Sequence, residues 1–91
     1  MLPKVKNLLS PKTGKAIPNQ FVITVGDRTL FQSYETPIAL TDDHDGRIFV
    51  CDKKYSRTTT KYTNEFLKQH KNYAVFYVTE EELEDGIRLC I

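Results

Sequence analysis

The sequence predicts an α+β fold: a small, mainly antiparallel sheet packed on one principal helix, with a short second helix near the C-terminus. Three observations lead there. Short β-branched and aromatic runs, separated by turn residues, fill the chain as far as Cys51. A single switch to three- and four-residue apolar spacing follows, over about Arg57 to His70. A second apolar run, Tyr73 to Val78, then leads into Thr79-Glu80-Glu81-Glu82, which has the spacing of a capping box.

The elements follow in order. Residues 1–19 read as irregular, broken by Pro3, Pro11, Gly14 and Pro18, although Val5 to Leu9 can form an edge strand closed by the turn Ser10-Pro11-Lys12-Thr13-Gly14. Phe21 to Val25 is the clearest strand, and Gly26-Asp27-Arg28 joins it to Thr29 to Tyr34 as a hairpin. Pro37 to Leu40 is a short strand, Asp42 to Gly46 a polar turn, and Arg47 to Cys51 the next strand.

In the principal helix, Tyr62, Phe66 and Leu67 form the apolar face, with Thr59 and Thr63 beside them. Ser56 is placed to cap it, because its hydroxyl can accept from a first-turn amide. His70 and Lys71 suit the negative end of the helix dipole, and Asn72 suits a left-handed stop. Tyr73 to Val78 is near-continuously apolar and reads as a central strand. The second helix is expected to end at Gly86, with Ile87 to Ile91 returning as a strand.

A chain of 91 residues allows one domain, 1–91, with a thin core. Hydrophobic residues at 40% and charged residues at 27% exclude a disordered chain. No apolar run approaches the roughly 18 residues of a membrane span, so no membrane partner is expected. Cys51 and Cys90 lie in apolar runs and read as two buried thiols in a reducing compartment, which points to a cytoplasmic protein.

The net charge is +1, so partners must be sought in its distribution. Lys53, Lys54, Arg57, Lys61, Lys68 and Lys71 cluster in the middle, opposed by Glu65, while Glu80, Glu81, Glu82, Glu84 and Asp85 collect near the end.

Thr41 to Asp52 carries part of a calcium-loop pattern, with Asp43, Asp45, Gly46 and Ile48 in place. It is short of oxygen ligands, and a solvated turn explains it with less. His44 and His70 lie at no zinc spacing from a Cys or from each other, so no metal and no cofactor is expected. Ser10, Ser33 and Ser56 have no nucleophile elbow, Cys51 reads as buried, and no phosphate-binding loop is present. A catalytic set is therefore not expected.

Nucleic acid is the better-supported partner. Lys53, Lys54, Arg57 and Lys61 surround the helix start, Thr58, Thr59 and Thr60 offer hydroxyls to phosphate, and Tyr55 and Tyr62, where exposed, are candidates for stacking on bases.

Three segments, "PNQFVI", "FQSYETPIA" and "YSRTTTKYTNEFL", resemble in this order a group of small uncharacterised proteins encoded by bacteriophages and bacterial mobile elements. The likeness rests on Asn19-Gln20, on Phe31 to Tyr34, and on the Tyr-Ser-x-Thr-Thr-x-Lys-Tyr-x-x-x-Phe-Leu pattern of Tyr55 to Leu67. It covers about residues 19–67 and implies a phage context inside a host cell, with no catalytic residues. Two expectations follow. One is an accessory protein that binds nucleic acid through Lys53, Lys54, Tyr55, Arg57, Thr58 and Lys61. The other is a protein-binding module that occupies a host or defence protein through Glu80, Glu81, Glu84 and Asp85.

Overall fold

The computed structural model describes residues 2–90, with the side chain of Cys90 outside that description, so the expected burial of that thiol and any strand ending at Ile91 lie outside the described residues. Five strands run as an antiparallel meander: β1 (Lys4–Leu9), β2 (Ala16–Val25), β3 (Arg28–Ser33), β4 (Thr36–Asp42) and β5 (Arg47–Cys51). The helix α1 (Arg57–Gln69) then crosses to β6 (Ala74–Val78), which joins β5 in parallel. A parallel neighbour cannot be reached through a two-residue turn, so this pairing requires the helical crossover. The helix α2 (Glu80–Cys90) ends the chain, and the sheet order is β1-β2-β3-β4-β5-β6.

The two-residue period of the strands divides the core between the sheet faces. Phe31, Ala39, Ile48 and Val50 pack with Phe66 of α1, whereas their neighbours Leu30, Leu40 and Cys51 pack with Leu83 of α2. One helix therefore covers each face. Phe66 is fully buried and stacks on Phe31 with ring centroids 5.3 Å apart. Thr59 and Thr63 share its inward face: Thr59 exchanges a hydroxyl hydrogen bond with Ser33 at 3.1 Å, and Thr63 Oγ1 donates to the Thr59 carbonyl at 2.8 Å.

Gly26 lies at φ 58° at the first central position of the β2–β3 turn. A two-residue hairpin demands that conformation, because turns with a positive φ there match the right-handed twist of the flanking strands, and glycine adopts it at no steric cost.

Four expectations from the sequence are corrected. Residues 16–19 belong to β2 and are not irregular. The register with β1 shifts between Asn7 and Leu9, and the extra β2 residues bulge, with Asn19 left-handed at φ 64°. Pro18 is tolerated in the bulge, Ile17 and Leu8 reach the core, and Asn7 Nδ2 ties the bulge by donating to the Ile17 carbonyl at 2.9 Å. The second correction is β6, which lies at the sheet edge rather than its centre, with Val75, Phe76 and Tyr77 exposed. Third, α1 ends at a His70 cap with φ −122°, held by its amide donating to the Leu67 carbonyl, and Asn72 is not left-handed.

Fourth, α2 runs through Gly86 to Cys90, where a strand was expected. Gly86 keeps out of the left-handed region, and Leu83 and Ile87 carry one apolar stripe past it onto Leu30 and Leu40. Burying that stripe outweighs the ~1 kcal/mol a helical glycine costs. A Cβ at Gly86 would stand 3.4 Å from Leu40 Cδ2, an ordinary contact. Gly86→Ala is therefore expected to stabilise the fold by about 0.5–1 kcal/mol, read as a higher urea midpoint with an unchanged slope.

Candidate nucleic-acid interface

The start of α1 is set by Ser56, extended at ψ 162°, whose Oγ accepts from the Thr59 amide at 3.2 Å. No acid stands in the first turn. With Thr59, Thr63 and Phe66 turned to the sheet, the helical period turns Arg57, Thr58, Thr60, Lys61, Asn64 and Lys68 to the outside, where all are exposed. Arg57, Thr60, Lys61, Asn64, Glu65 and Lys68 line one open groove of about 630 Å³ along the helix. Arg57, Lys61 and Lys68 form a stripe of cations along it, and Glu65 is the one acid among these lining residues. Lys54 stands exposed just ahead of the helix.

These cations are not neutralised from within. Among the described residues, Lys54, Arg57, Lys61 and Lys68 take part in no ion pair. The Lys61 ammonium lies 5.4 Å from the centre of the Tyr62 ring, which orients it without cancelling its charge.

Lys53 and Tyr55 of the expected set are placed differently. Lys53 Nζ is 3.2 Å from Glu80 Oε2, an ion pair that ties the β5–α1 loop to the start of α2. Tyr55 is half-buried and packs against both core clusters, with its hydroxyl buried and lacking a hydrogen-bond partner among the described residues. Burial first, and the neighbouring Cys51 thiol second, push the Tyr55 hydroxyl well above its ordinary ionisation range. Its ring joins the two cores across the sheet end and is not presented for stacking. Lys68 and Asn64 stand outside the expected set; of the expected threonines Thr58 and Thr60 are exposed but Thr59 is buried against Ser33, and Tyr62 packs half-buried against the core. Lys68 is seven residues from Lys61, one helical repeat of the same face, and that spacing was the available signal.

The acidic segment is organised otherwise. Thr79 and Glu82 form the capping box, the Thr79 amide donating to Glu82 Oε1 and the Glu82 amide to Thr79 Oγ1, both at 3.1 Å. The Thr79 backbone bond, then its hydroxyl, hold the Glu82 carboxyl below its usual range. Glu84 and Asp85 pair with Arg88 at 4.0 and 3.1 Å, and Glu80 with Lys53. Of Glu80, Glu81, Glu84 and Asp85, Glu81 alone has no ion pair among the described residues.

The acidic turn between β4 and β5 spends its carboxylates on the fold. Asp43 accepts three hydroxyls: Thr41 Oγ1 and Tyr73 OH at 2.8 Å on Oδ1, and Thr29 Oγ1 at 2.9 Å on Oδ2. The first effect on Tyr73 is a phenol held above its ordinary range by that bond, with burial and the Asp43 charge adding. Asp42 Oδ1 accepts the Asp45 amide at 3.2 Å, and Oδ2 lies 3.7 Å from Arg28. The backbone bond from Asp45 is the main cause that lowers the Asp42 carboxyl. Among the described residues no group of three His, Cys, Asp or Glu side chains is arranged to hold a metal ion. His70 is spent on packing, its ring 4.5 Å from Phe66 and 5.0 Å from Tyr73, with Nδ1 bonded to the Phe66 carbonyl at 2.9 Å.

A cleft of about 270 Å³ lies between α1 and the ends of β5 and β6, lined by Cys51, Tyr55, Thr63, Leu67 and Tyr77 among others. Its walls are mostly apolar and neither histidine lines it. Among the described residues no helix is long and apolar enough to cross a membrane.

The family model for a family of unknown function, DUF8033, matches residues 4–85, and the chain belongs to that family. No curated protein and no solved structure matches it.

Proposed function

We propose that the protein is a non-enzymatic binding protein that contacts the phosphate backbone of nucleic acid through the exposed face of α1. The observation that carries this reading is the clustering of Arg57, Lys61 and Lys68 along one helix face, with Lys54 ahead of it and, among the described residues, none of the four in an ion pair. Phosphate contact needs several clustered cations and rewards their free charge. Thr58, Thr60 and Asn64 add neutral donors of the kind that fix register on a sugar–phosphate backbone. No aromatic ring stands in the groove, so the contact reads backbone rather than base and tolerates any sequence.

The segment Tyr55 to Leu67, which carries the resemblance to proteins of bacteriophages and mobile elements, is the segment that builds this face. That supports an accessory role in such an element, acting inside the host cell. The acidic alternative, capture of a host protein by the start of α2, has less support, because Glu80, Glu84 and Asp85 are already paired.

Fluorescence anisotropy with mixed-sequence oligonucleotides tests the proposal. The expected result is sequence-tolerant binding at low salt that weakens toward a dissociation constant of roughly 1–100 µM near physiological salt. Absence of binding at low salt to both single and double strands removes it.

A further inference from the structure

Among the described residues the sheet ends without cover at β6. β6 pairs with β5 on one side, and its other edge is open. Ala74-Val75-Phe76-Tyr77-Val78 holds no charge and no proline, two of the devices that ordinarily blunt such an edge. The opposite edge, β1, has both Lys4 and Lys6 and a register shift. On β6, Val75, Phe76 and Tyr77 are 43%, 46% and 69% exposed. The helices are anchored elsewhere, α2 mainly on β4 and β5 and α1 on β3.

The direction of the free backbone groups is fixed by the bonds β6 makes. The Ala74 amide donates to the Gly46 carbonyl at 2.9 Å, and the Val78 carbonyl accepts the Asp52 amide at 2.8 Å. Alternation along the strand then turns the N–H and C=O of Val75 and Tyr77 outward.

We propose that β6 is a self-association edge: it pairs antiparallel with β6 of a second copy of this chain, Phe76 opposite Phe76. In that register Val75 faces the other copy's tyrosine at 77, and Tyr77 its valine at 75. Each such pair exchanges both of its hydrogen bonds, because both residues point their backbone groups outward. The central Phe76 pair is then the close, non-bonded kind. It extends the Phe49–Phe76 stack, centroids 5.7 Å apart, into a row of aromatic rings across the dimer. On the other face, Val–Tyr pairs are a favourable cross-strand match.

Charge follows the same symmetry. Lys71 precedes β6 and Glu81 follows it in the first turn of α2, so antiparallel pairing brings the basic end of one strand toward the acidic end of the other. Both are exposed and, among the described residues, without an ion pair. At the roughly 150–250 Å² of a large aromatic side chain, the exposed parts of Val75, Phe76 and Tyr77 come to about 300 Å² per copy. That is well under half of the roughly 800 Å² per partner of a standard interface, so the dimer is weak and depends on concentration. Its two-fold axis stands perpendicular to the sheet, and both α1 helices lie on the same face. The proposal does not depend on the nucleic-acid reading.

Sedimentation equilibrium of the full chain, from about 10 µM to about 1 mM, tests it over the range of a weak interface. The mass is expected to rise from monomer to dimer. Val75→Pro removes an outward amide and none that faces β5, and Tyr77→Lys puts a charge at the edge. Each is expected to hold the chain monomeric with an unchanged circular dichroism spectrum, and if the proline variant unfolds, Tyr77→Lys decides. In a Cys90→Ser background, Phe76→Cys is expected to form a disulfide-linked dimer on mild oxidation and Tyr77→Cys not, since only position 76 meets itself. A monomer at every concentration, a dimer that survives Tyr77→Lys, or equal cross-linking at 76 and 77 overturns the proposal.

Discussion

Replacing Arg57, Lys61 and Lys68 together by Glu is expected to abolish oligonucleotide binding at every salt concentration. Each substitution removes one phosphate contact and puts a like charge in its place, and losing one such contact weakens binding to all sequences alike. The three positions line one groove, so the losses fall on a single path of the backbone. The fold is expected to survive. All three side chains are exposed, and surface changes of this kind shift stability by about 0.5 kcal/mol each or less. New like-charge neighbours at four-residue spacing, such as 61 and 65, add a few tenths more. Circular dichroism and a urea midpoint verify this. Lys53→Gln is the informative control: its ammonium is held by Glu80, so its loss is expected to weaken binding less than any one of the three.

Asp43→Ala is expected to destabilise the protein by about 2–4 kcal/mol, measured by urea denaturation, because hydrogen bonds to a charged group contribute roughly 1.5–3 kcal/mol each and do not add fully. Three hydroxyls, from Thr29, Thr41 and Tyr73, lose their shared acceptor. The carboxylate joins the β3 start, the β4 end and the approach to β6, so its removal loosens the edge of the sheet that closes last in sequence. For a domain of this size, total stability is about 5–13 kcal/mol, and the loss is a large share of it. Asp43→Asn keeps one acceptor oxygen and is expected to cost less. The same contact makes stability sensitive to alkali. The bond raises the folded Tyr73 phenol above its ordinary value of 10.0. Its contribution is therefore complete below pH 10 and is lost as pH rises through the folded value. Ultraviolet titration of the tyrosines should show Tyr73 ionising late in the parent chain and earlier in Asp43→Ala.

Much of the architecture was legible because it is local. The strands from Phe21 to Cys51 and the boundaries of α1 follow from β-branched runs, turn residues and Ser56, all within a few positions of the elements they define. What was not legible depended on neighbours far along the chain. An apolar run such as Ala74–Val78 reads alike whether it is central or at an edge, since periodicity carries no information about how many strands flank it. Gly86 reads as a stop until Leu40 is known to lie beneath it. Pro18 and Asn19 read as loop residues, and a bulge uses them inside a strand.

The candidate site divides the same way. The exposure of Arg57, Thr58 and Lys61 follows from helical phase once Thr59, Thr63 and Phe66 face the sheet. The placement of Lys53 required Glu80, 27 residues away, and that of Tyr55 required both core clusters. Neither partner stands in a sequence window around the residue it captures.

The most direct test of the central claim is the salt dependence of oligonucleotide affinity for the parent chain. Four cations, Lys54, Arg57, Lys61 and Lys68, on a single-stranded backbone predict a slope of about −3 in log affinity against log salt, and somewhat steeper on a duplex. The triple Glu variant should show no measurable binding from which to draw a slope. A parent-chain slope near zero, or a triple variant that binds as the parent does, contradicts a phosphate-binding face on α1.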